Sequence, residues 1–377
     1  MSKTLQDYAT LINDTIQSNE INHYITTDNM CQNLGGIDTF KNINIPQGKV
    51  RSFQKDDVLL SNIRLYFRKV YRAKQKGGCS SDVLVFRAKH IDSATLFAIL
   101  SSQIFTDYAC LGSQGSKMPR GNKTHMMDFK IPTINFTIAK IFNSIQNKIE
   151  NNHKINELLH KILELIYEQY FVRFDFLDEN NKPYQTNGGK MKFSKELNRL
   201  IPNGWSVKFL DHKIVSTYQP KTISKTLLND SYSYNVYGGG GIIGRFTEYN
   251  HEQSEFIISC RGQCGISYLT LPKSWITGNA MVIRPTKSYT SKTYLYHTIK
   301  KYKLKNYITG SVQPQITRQN LSTMPILIPK RKTLNKWNNI SSLLWNLIHN
   351  NMQSTQTLTT LRDFLLPLLL KQQVKPQ

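Results

Sequence analysis

Arginine and lysine are the residues of this chain best placed to do chemistry. Arg64, Arg68 and Arg72 recur at every fourth position of SNIRLYFRKVYRAK (61–74), with Lys69 among them. Lys117, Arg120 and Lys123 share the stretch KMPRGNK, and Arg245, Arg261, Lys273 and Arg318 are spread over the second half. A guanidinium is planar, permanently charged and carries five donors in a fork that matches phosphate oxygens and guanine edges. Groups of this kind bind and orient anions; they do not supply a nucleophile or a general base. The sequences that would supply one are missing. There is no Asn/Asp-Pro-Pro-Tyr/Phe, no phosphate-binding Gly-rich loop ending in Gly-Lys-Ser/Thr, no His-Glu-x-x-His and no Pro-Asp…Glu-x-Lys cluster. Cys260 and Cys264 stand four apart without a second ligand pair, so no metal site is expected. The reading is a chain without catalytic residues of its own.

The overall charge agrees. Lys and Arg number 49 against 25 Asp and Glu, leaving +24 and a pI near 9.7. That is the electrostatic footprint of a nucleic-acid binder. The excess is uneven: net +6 over 1–132, 0 over 133–172, +12 over 173–329 and +6 over 330–377. An apolar content of 39% supports packed cores. The longest apolar run, FLLPLLL at 364–370, is too short to span a membrane. With five cysteines, an odd number, and no apolar leader, the expectation is a soluble cytoplasmic protein without disulfides.

The arginines need elements to hold them. Over 61–74 a period of two sets Arg64, Tyr66, Arg68 and Arg72 on one side and Ile63, Leu65, Phe67 and Tyr71 on the other. This predicts a half-buried strand with its basic face in solvent, although the same arginines also fit one helix face. GGCSSDVLVFRAK (77–89) predicts a buried strand ending at Arg87, with a counterpart in TGNAMVIRP (277–285) ending at Arg284. NLGGI (33–37) and GGGGIIG (238–244) read as tight turns rather than nucleotide loops.

The chain also repeats itself. GSQGSKMPRGNKTHMMDFKIP (112–132) lies over GSVQPQITRQNLSTMPILIP (310–329) so that Arg120 meets Arg318, Asn122 meets Asn320 and both reach Ile-Pro. A helical segment follows each. Over 337–368 a strict heptad places Trp337, Leu344, Asn351, Leu358 and Leu365 at one core position and Ile340, Leu347, Ser354, Leu361 and Leu368 at the other. The segment 138–170 keeps that phase through Ile138, Ile141, Ile145, Asn152, Leu159, Ile162 and Ile166 when displaced by 199. Asn152 and Asn351 take matching seam positions, where a buried polar group sets register. The prediction is an α/β protein in which two globular domains are separated by two long antiparallel helices in a pseudo-twofold repeat. Domain boundaries are expected at 1–132, 133–176 (helix), 177–203 (linker), 204–329 and 330–377 (helix).

Taken together, TTDNM (26–30), DDVLLSNIRLYF (56–67), GGCSSDVLVFRAK (77–89), GSQGSKMPRGNK (112–123), IENNHKINELLHKILELIYEQYFVRFDF (149–176), DENNKPYQTNGGKM (178–191) and IPNGW (201–205) resemble the specificity (S) subunits of type I restriction-modification enzymes. The order and spacing of these segments carry the resemblance over essentially the whole chain. It implies two target recognition domains, each reading one half of a split, asymmetric duplex DNA target. It implies long helices that dock two methyltransferase (M) subunits, joined by restriction/translocase (R) subunits. S-adenosylmethionine, ATP and Mg2+ would then belong to those partners, with no cofactor in this chain. The Thr-rich STQTLTT (354–360) departs from the charged residues often found there. Two other readings compete: a stand-alone two-domain enzyme that modifies or cleaves DNA, and an RNA-binding scaffold. Cleavage or methylation by the purified chain would favour the first, and competition between duplex DNA and structured RNA would separate the second.

Overall fold

Alternating burial along two short strands builds the centre of the first unit. Val58, Leu60, Leu84 and Phe86 point to one side, and Leu59, Val83 and Val85 to the other. A pleated strand forces this separation, because successive side chains leave on opposite faces. The computed structural model describes residues 3–38, 43–131, 134–229, 232–262, 264–302, 304–311 and 313–370. Pro132, expected at the entry to the first helix, and Lys303, in the basic run KKYKLK, lie outside them. The chain divides into two units, Met1–Ile155 with Asn351–Gln377, and Asn156–Asn350.

In the first unit the antiparallel sheet runs Ala9–Ile12, Val83–Ala88, Val58–Ser61, Val70–Arg72 in spatial order. One face packs on the helices Ser93–Leu100 and Gln103–Leu111 and on Ala139, Phe142, Leu366 and Leu369. The other faces a small sheet containing Lys49–Phe53 and Gly77–Cys79. The second unit has the same order, Val215–Tyr218, Ala280–Pro285, Phe256–Ser259, Ser267–Leu269, again antiparallel throughout. The strands expected within 77–89 and 277–285 are therefore central in their sheets. Each also ends in an ion pair at the same place. Arg87 donates twice to Asp57, at 2.8 and 2.9 Å, and Arg284 donates twice to Glu255, at 3.1 and 2.7 Å.

The long helices are Phe136–Tyr167, extended by a π-helical turn Glu168–Val172, and Arg331–Leu369. They run antiparallel within each unit. In the first, Asn135 N–H donates to Leu369 O, Arg362 donates to Gln146 and Asn152 donates to Thr355. In the second, Asn156 donates to Ile348 O, His160 packs on Trp345 and Tyr167 on Trp337. No single helix among the described residues is long and apolar enough to cross a membrane.

Three expectations need correction. The repeat does not run at an offset of 198 or 199. The N-caps Asn122 and Thr317 are equivalent, as are the carbonyls of Phe129 and Met324, which accept from Leu5 and Leu210 N–H; both give 195. Buried helix positions agree: Ala139, Phe142, Gln146 and Glu150 correspond to Leu334, Trp337, Ser341 and Trp345. Arg120 thus corresponds to Gln315, and Arg318 to Lys123. The predicted seam is also only partly buried, since Ile141, Ile162, Leu347 and Leu361 are exposed. Further, residues 191–202 of the stretch expected to be a linker form a two-stranded hairpin, and Trp205 just beyond is buried against Phe176.

Two outcomes follow from this packing. Asp57 and Glu255 are buried, so Arg87→Met or Arg284→Met leaves a carboxylate short of two donors. Each should destabilise its unit by about 1–3 kcal/mol, read from denaturant unfolding. Unchanged stability in both variants would show the pairs to be surface ornaments. The second outcome concerns pH. In the second unit, burial holds His297 down at about 3 and His349 at about 4, helped by Lys300, His160 and Lys301 beside His297 and by Lys292 and His160 beside His349. Both folded-state values lie below the unfolded value near 6.5. The unfolded chain therefore binds more protons in this window, and stability should fall as pH drops from about 6.5 toward 4. Replacing His297 with Leu should flatten that slope in thermal melts; an unaltered slope would remove His297 as its source.

Candidate nucleic-acid interface

The loop joining Val58–Ser61 to Val70–Arg72 holds three of the expected contact residues, Arg64, Arg68 and Lys69, and it is not a strand. Ser61 N–H donates to Lys69 O and Asn62 N–H to Asp82 O, closing the base of the loop at 3.0 and 2.8 Å. Between them the chain turns through left-handed Arg64 (φ 52°), a 3-10 turn Leu65–Phe67, and left-handed Arg68 (φ 49°). For a residue with a Cβ such a conformation costs about 1–2 kcal/mol. The period-two pattern suggested a strand, but the stretch is a turn with left-handed ends.

The arginine side chains do not all face solvent. Arg68 turns inward, donates to Ser101 O at 2.9 Å, and burial lowers its proton affinity below that of an ordinary arginine. Lys69 donates to Thr27 O at 2.6 Å, and Arg72 lies 3.9 Å from Asp56. These three tie the loop to its surroundings. Arg64 is half-buried, with Nη2 3.3 Å from Lys117 O, and its backbone N–H donates to Pro119 O. Thus Arg64, Lys117 and Arg120 are brought together, with Ile63 and Gln114 bridging to Arg120. Lys117 and Lys123 are exposed, and Lys123 opens the short helix Lys123–Met127. Arg120 is exposed too but is held by Asp82 at 3.0 Å.

The second unit builds the same loop from different residues. Ser259 N–H donates to Ile266 O, Cys260 N–H to Asn279 O, and the two left-handed corners are Gly262 (φ 74°) and Gly265 (φ 90°). Arg261 is exposed and bridges to Gln315, as Ile63 bridges to Arg120. Gln315 and Asn279 therefore take the places of Arg120 and Asp82, so neither charge of that ion pair is present here. Arg318 is exposed and lines an open groove of about 510 Å³ with His212, Ser216, Thr217, Gln319 and Ser322. Arg245 is half-buried in the strand Gly241–Phe246, opposite Asn235, and Lys273 is exposed at a left-handed turn near Glu252. Gly238–Gly241 form the turn of that hairpin, whereas Gly35 and Gly36 lie in a loop whose Leu34 carbonyl accepts from Gln146, so the two glycine clusters have no common place in the fold.

Of the register residues, Asn152 is buried, 1% exposed, and donates to Thr355 at 3.2 Å. Asn351 is half-buried and does not occupy the equivalent place. Sequence reasoning missed Arg362, which is 1% exposed and donates to Gln146 at 3.1 Å; Gln146 in turn donates to Leu34 O at 2.7 Å. It also missed Asp82 and Ser101. Only Arg362 had a visible signal: it is the sole basic residue between Lys336 and Lys371.

The family described as "Type I restriction modification DNA specificity domain" matches residues 202–368. The S subunit of a type I restriction-modification system from M. genitalium is similar at 14% identity, covering 99% of this chain and 96% of that one with a TM-score of 0.63. The HsdS subunit from Thermoanaerobacter tengcongensis aligns at 15% identity over 98% of this chain and 95% of that one, with a TM-score of 0.34. No curated protein gives a significant match. Residues 202–368 thus match the type I restriction-modification DNA specificity domain, and the chain as a whole shares the fold of the M. genitalium S subunit.

Proposed function

We propose that this chain is the sequence-reading subunit of a type I restriction-modification complex. Each unit reads one half of a bipartite, asymmetric duplex DNA target. The long helices dock two M subunits, and R subunits join the assembly. S-adenosylmethionine, ATP and Mg2+ are bound by those partners, and the complex works in the cytoplasm, where its DNA is. The observation that carries the reading is a duplicated fold with unduplicated surface chemistry. The same sheet order, short capped helix and two-cornered loop occur twice. The residues they present differ, Arg64, Lys117 and Arg120 on one side and Arg261, Gln315 and Arg318 on the other. A protein built to read a palindrome needs no such difference. The net charge of +24 supports a polyanion as partner.

The test is methylome mapping in cells carrying this chain with its M subunit. A split motif with two unlike halves and a fixed unread spacer is expected; a continuous or palindromic motif would overturn the reading. Binding of the assembled complex to its target should weaken steeply with salt, by about 0.9 in log K per log unit of salt for each phosphate neutralised. A salt-independent affinity would contradict the electrostatic part.

Helix length should set the spacer. Four residues add about one turn and about 6 Å of rise, and keep the apolar face in phase. Inserted in the helix Phe136–Tyr167 and matched in Arg331–Leu369, they should lengthen the spacer by one or two base pairs, since duplex DNA advances about 3.4 Å per pair. The half-site sequences should stay the same. A variant that assembles and methylates yet keeps the original spacer would show that the helices do not measure it.

A further inference from the structure

The loop Asn62–Lys69 presents one side chain that nothing in the fold requires. Tyr66, at the apex of the 3-10 turn between Arg64 and Arg68, is 52% exposed. Its hydroxyl has no protein partner among the described residues. Its ring is nonetheless held in place. It packs edge-on against Phe67 with ring centres 4.7 Å apart, and Phe67 in turn lies under the Arg64 guanidinium at 5.9 Å and the Lys69 ammonium at 6.0 Å. The backbone beneath is fixed from three sides. Asn33 N–H donates to Phe67 O, Leu34 N–H to Arg68 O, and Arg64 N–H to Pro119 O. Exposed Lys117 and Met118 stand beside the loop.

The second unit shows what the loop looks like without this function. Its corners are Gly262 and Gly265, which take left-handed angles without strain, and the sequence between them, Gln-Cys, offers no aromatic ring. The first unit places Arg at both corners despite the cost, and uses their side chains to brace the turn that carries Tyr66. A rigid, half-exposed aromatic with a free hydroxyl, flanked by cations, fits a base edge and its flanking phosphates. Little ordering is left to be done when DNA arrives.

We propose that Tyr66 is a specificity-determining residue of the first half-site, its hydroxyl hydrogen-bonding to a base edge while Lys117 and Arg64 face the neighbouring phosphates. This rests on the sequence-reading function proposed above. The hydroxyl both donates and accepts, so it is able to meet guanine O6 or N7, thymine O4, or the amino groups of adenine and cytosine.

The experiment uses the complete complex with Tyr66→Phe and Tyr66→Ala, and reads the methylated motif genome-wide together with competition binding on targets varied one base pair at a time. Tyr66 is exposed, so both variants should fold and assemble. Both should lose discrimination at one position, or two adjacent positions, of the first half-site by about 5- to 150-fold. The second half-site and the spacer should be unchanged. Tyr66→Phe retaining full stringency would overturn the hydrogen bond to a base. A uniform loss of affinity across all sequences, or relaxation in the second half-site, would overturn the assignment of Tyr66 to reading the first. If the unaltered complex has a split motif, those failures fall on Tyr66 alone; if it has none, the parent reading fails with it.

Discussion

The constraint on which the rest of the structure depends is the register of the two long helices. Each helix has one stripe of positions that must be buried, and each stripe packs against both the other helix and the globule of its unit. Ala139, Phe142 and Gln146 define it in the first helix, Leu334, Trp337 and Ser341 in the second. Polar groups in the stripe convert preference into specificity. Arg362, paired with its neighbour Asp363, also donates across to Gln146, and Gln146 donates to the Leu34 carbonyl and to Glu150. A slip of one turn would keep the Asp363 partner but take the Gln146 acceptor from the buried Arg362, at a cost of about 1–3 kcal/mol. Helix register and the seating of the first sheet are therefore one decision.

That same geometry explains why the internal repeat read from sequence was displaced. The apparent offset of 199 exceeds the structural offset of 195 by four residues, close to one helical turn. A displacement of one turn leaves the apolar stripe on nearly the same face, so hydrophobic identities survive it. Periodicity reports which face is apolar and not which turn meets which globule. The hydrogen bonds of Leu5 to Phe129 and Leu210 to Met324 carry that second kind of information, and neither has a sequence signature.

Much of the scaffold was legible for a definite reason. The strands at 83–88 and 280–285 are buried on both faces, so unbroken apolar runs announce them, and each ends at an arginine with a partner in the same sheet. The helices were legible through length and periodicity. The interface was harder. Arg64, Arg68 and Arg72 have one identity and one spacing but three fates, because their partners Lys117 O, Ser101 O and Asp56 come from three other segments. Nothing in SNIRLYFRK marks two left-handed corners, since arginine is not a residue that usually adopts them. Had those corners been glycine, as at 262 and 265, the turn would have been read at once.

Glycine in one unit and arginine in the other at those corners show how one fold comes to carry two unlike loops. Backbone hydrogen bonds at the base of the loop are the same in both units, so the scaffold is indifferent to what the apex carries. Glycine leaves the apex open, with the exposed Arg261 beside it. Arginine closes it, because Arg68 is anchored inside at Ser101 and Arg64 is tied to the adjoining loop at Lys117. The ion pair Arg120–Asp82 adds to this closure in the first unit, and the equivalent positions in the second, Gln315 and Asn279, carry no charge. The two units therefore differ at the loop corners and their braces, while the buried faces that seat each sheet share one pattern.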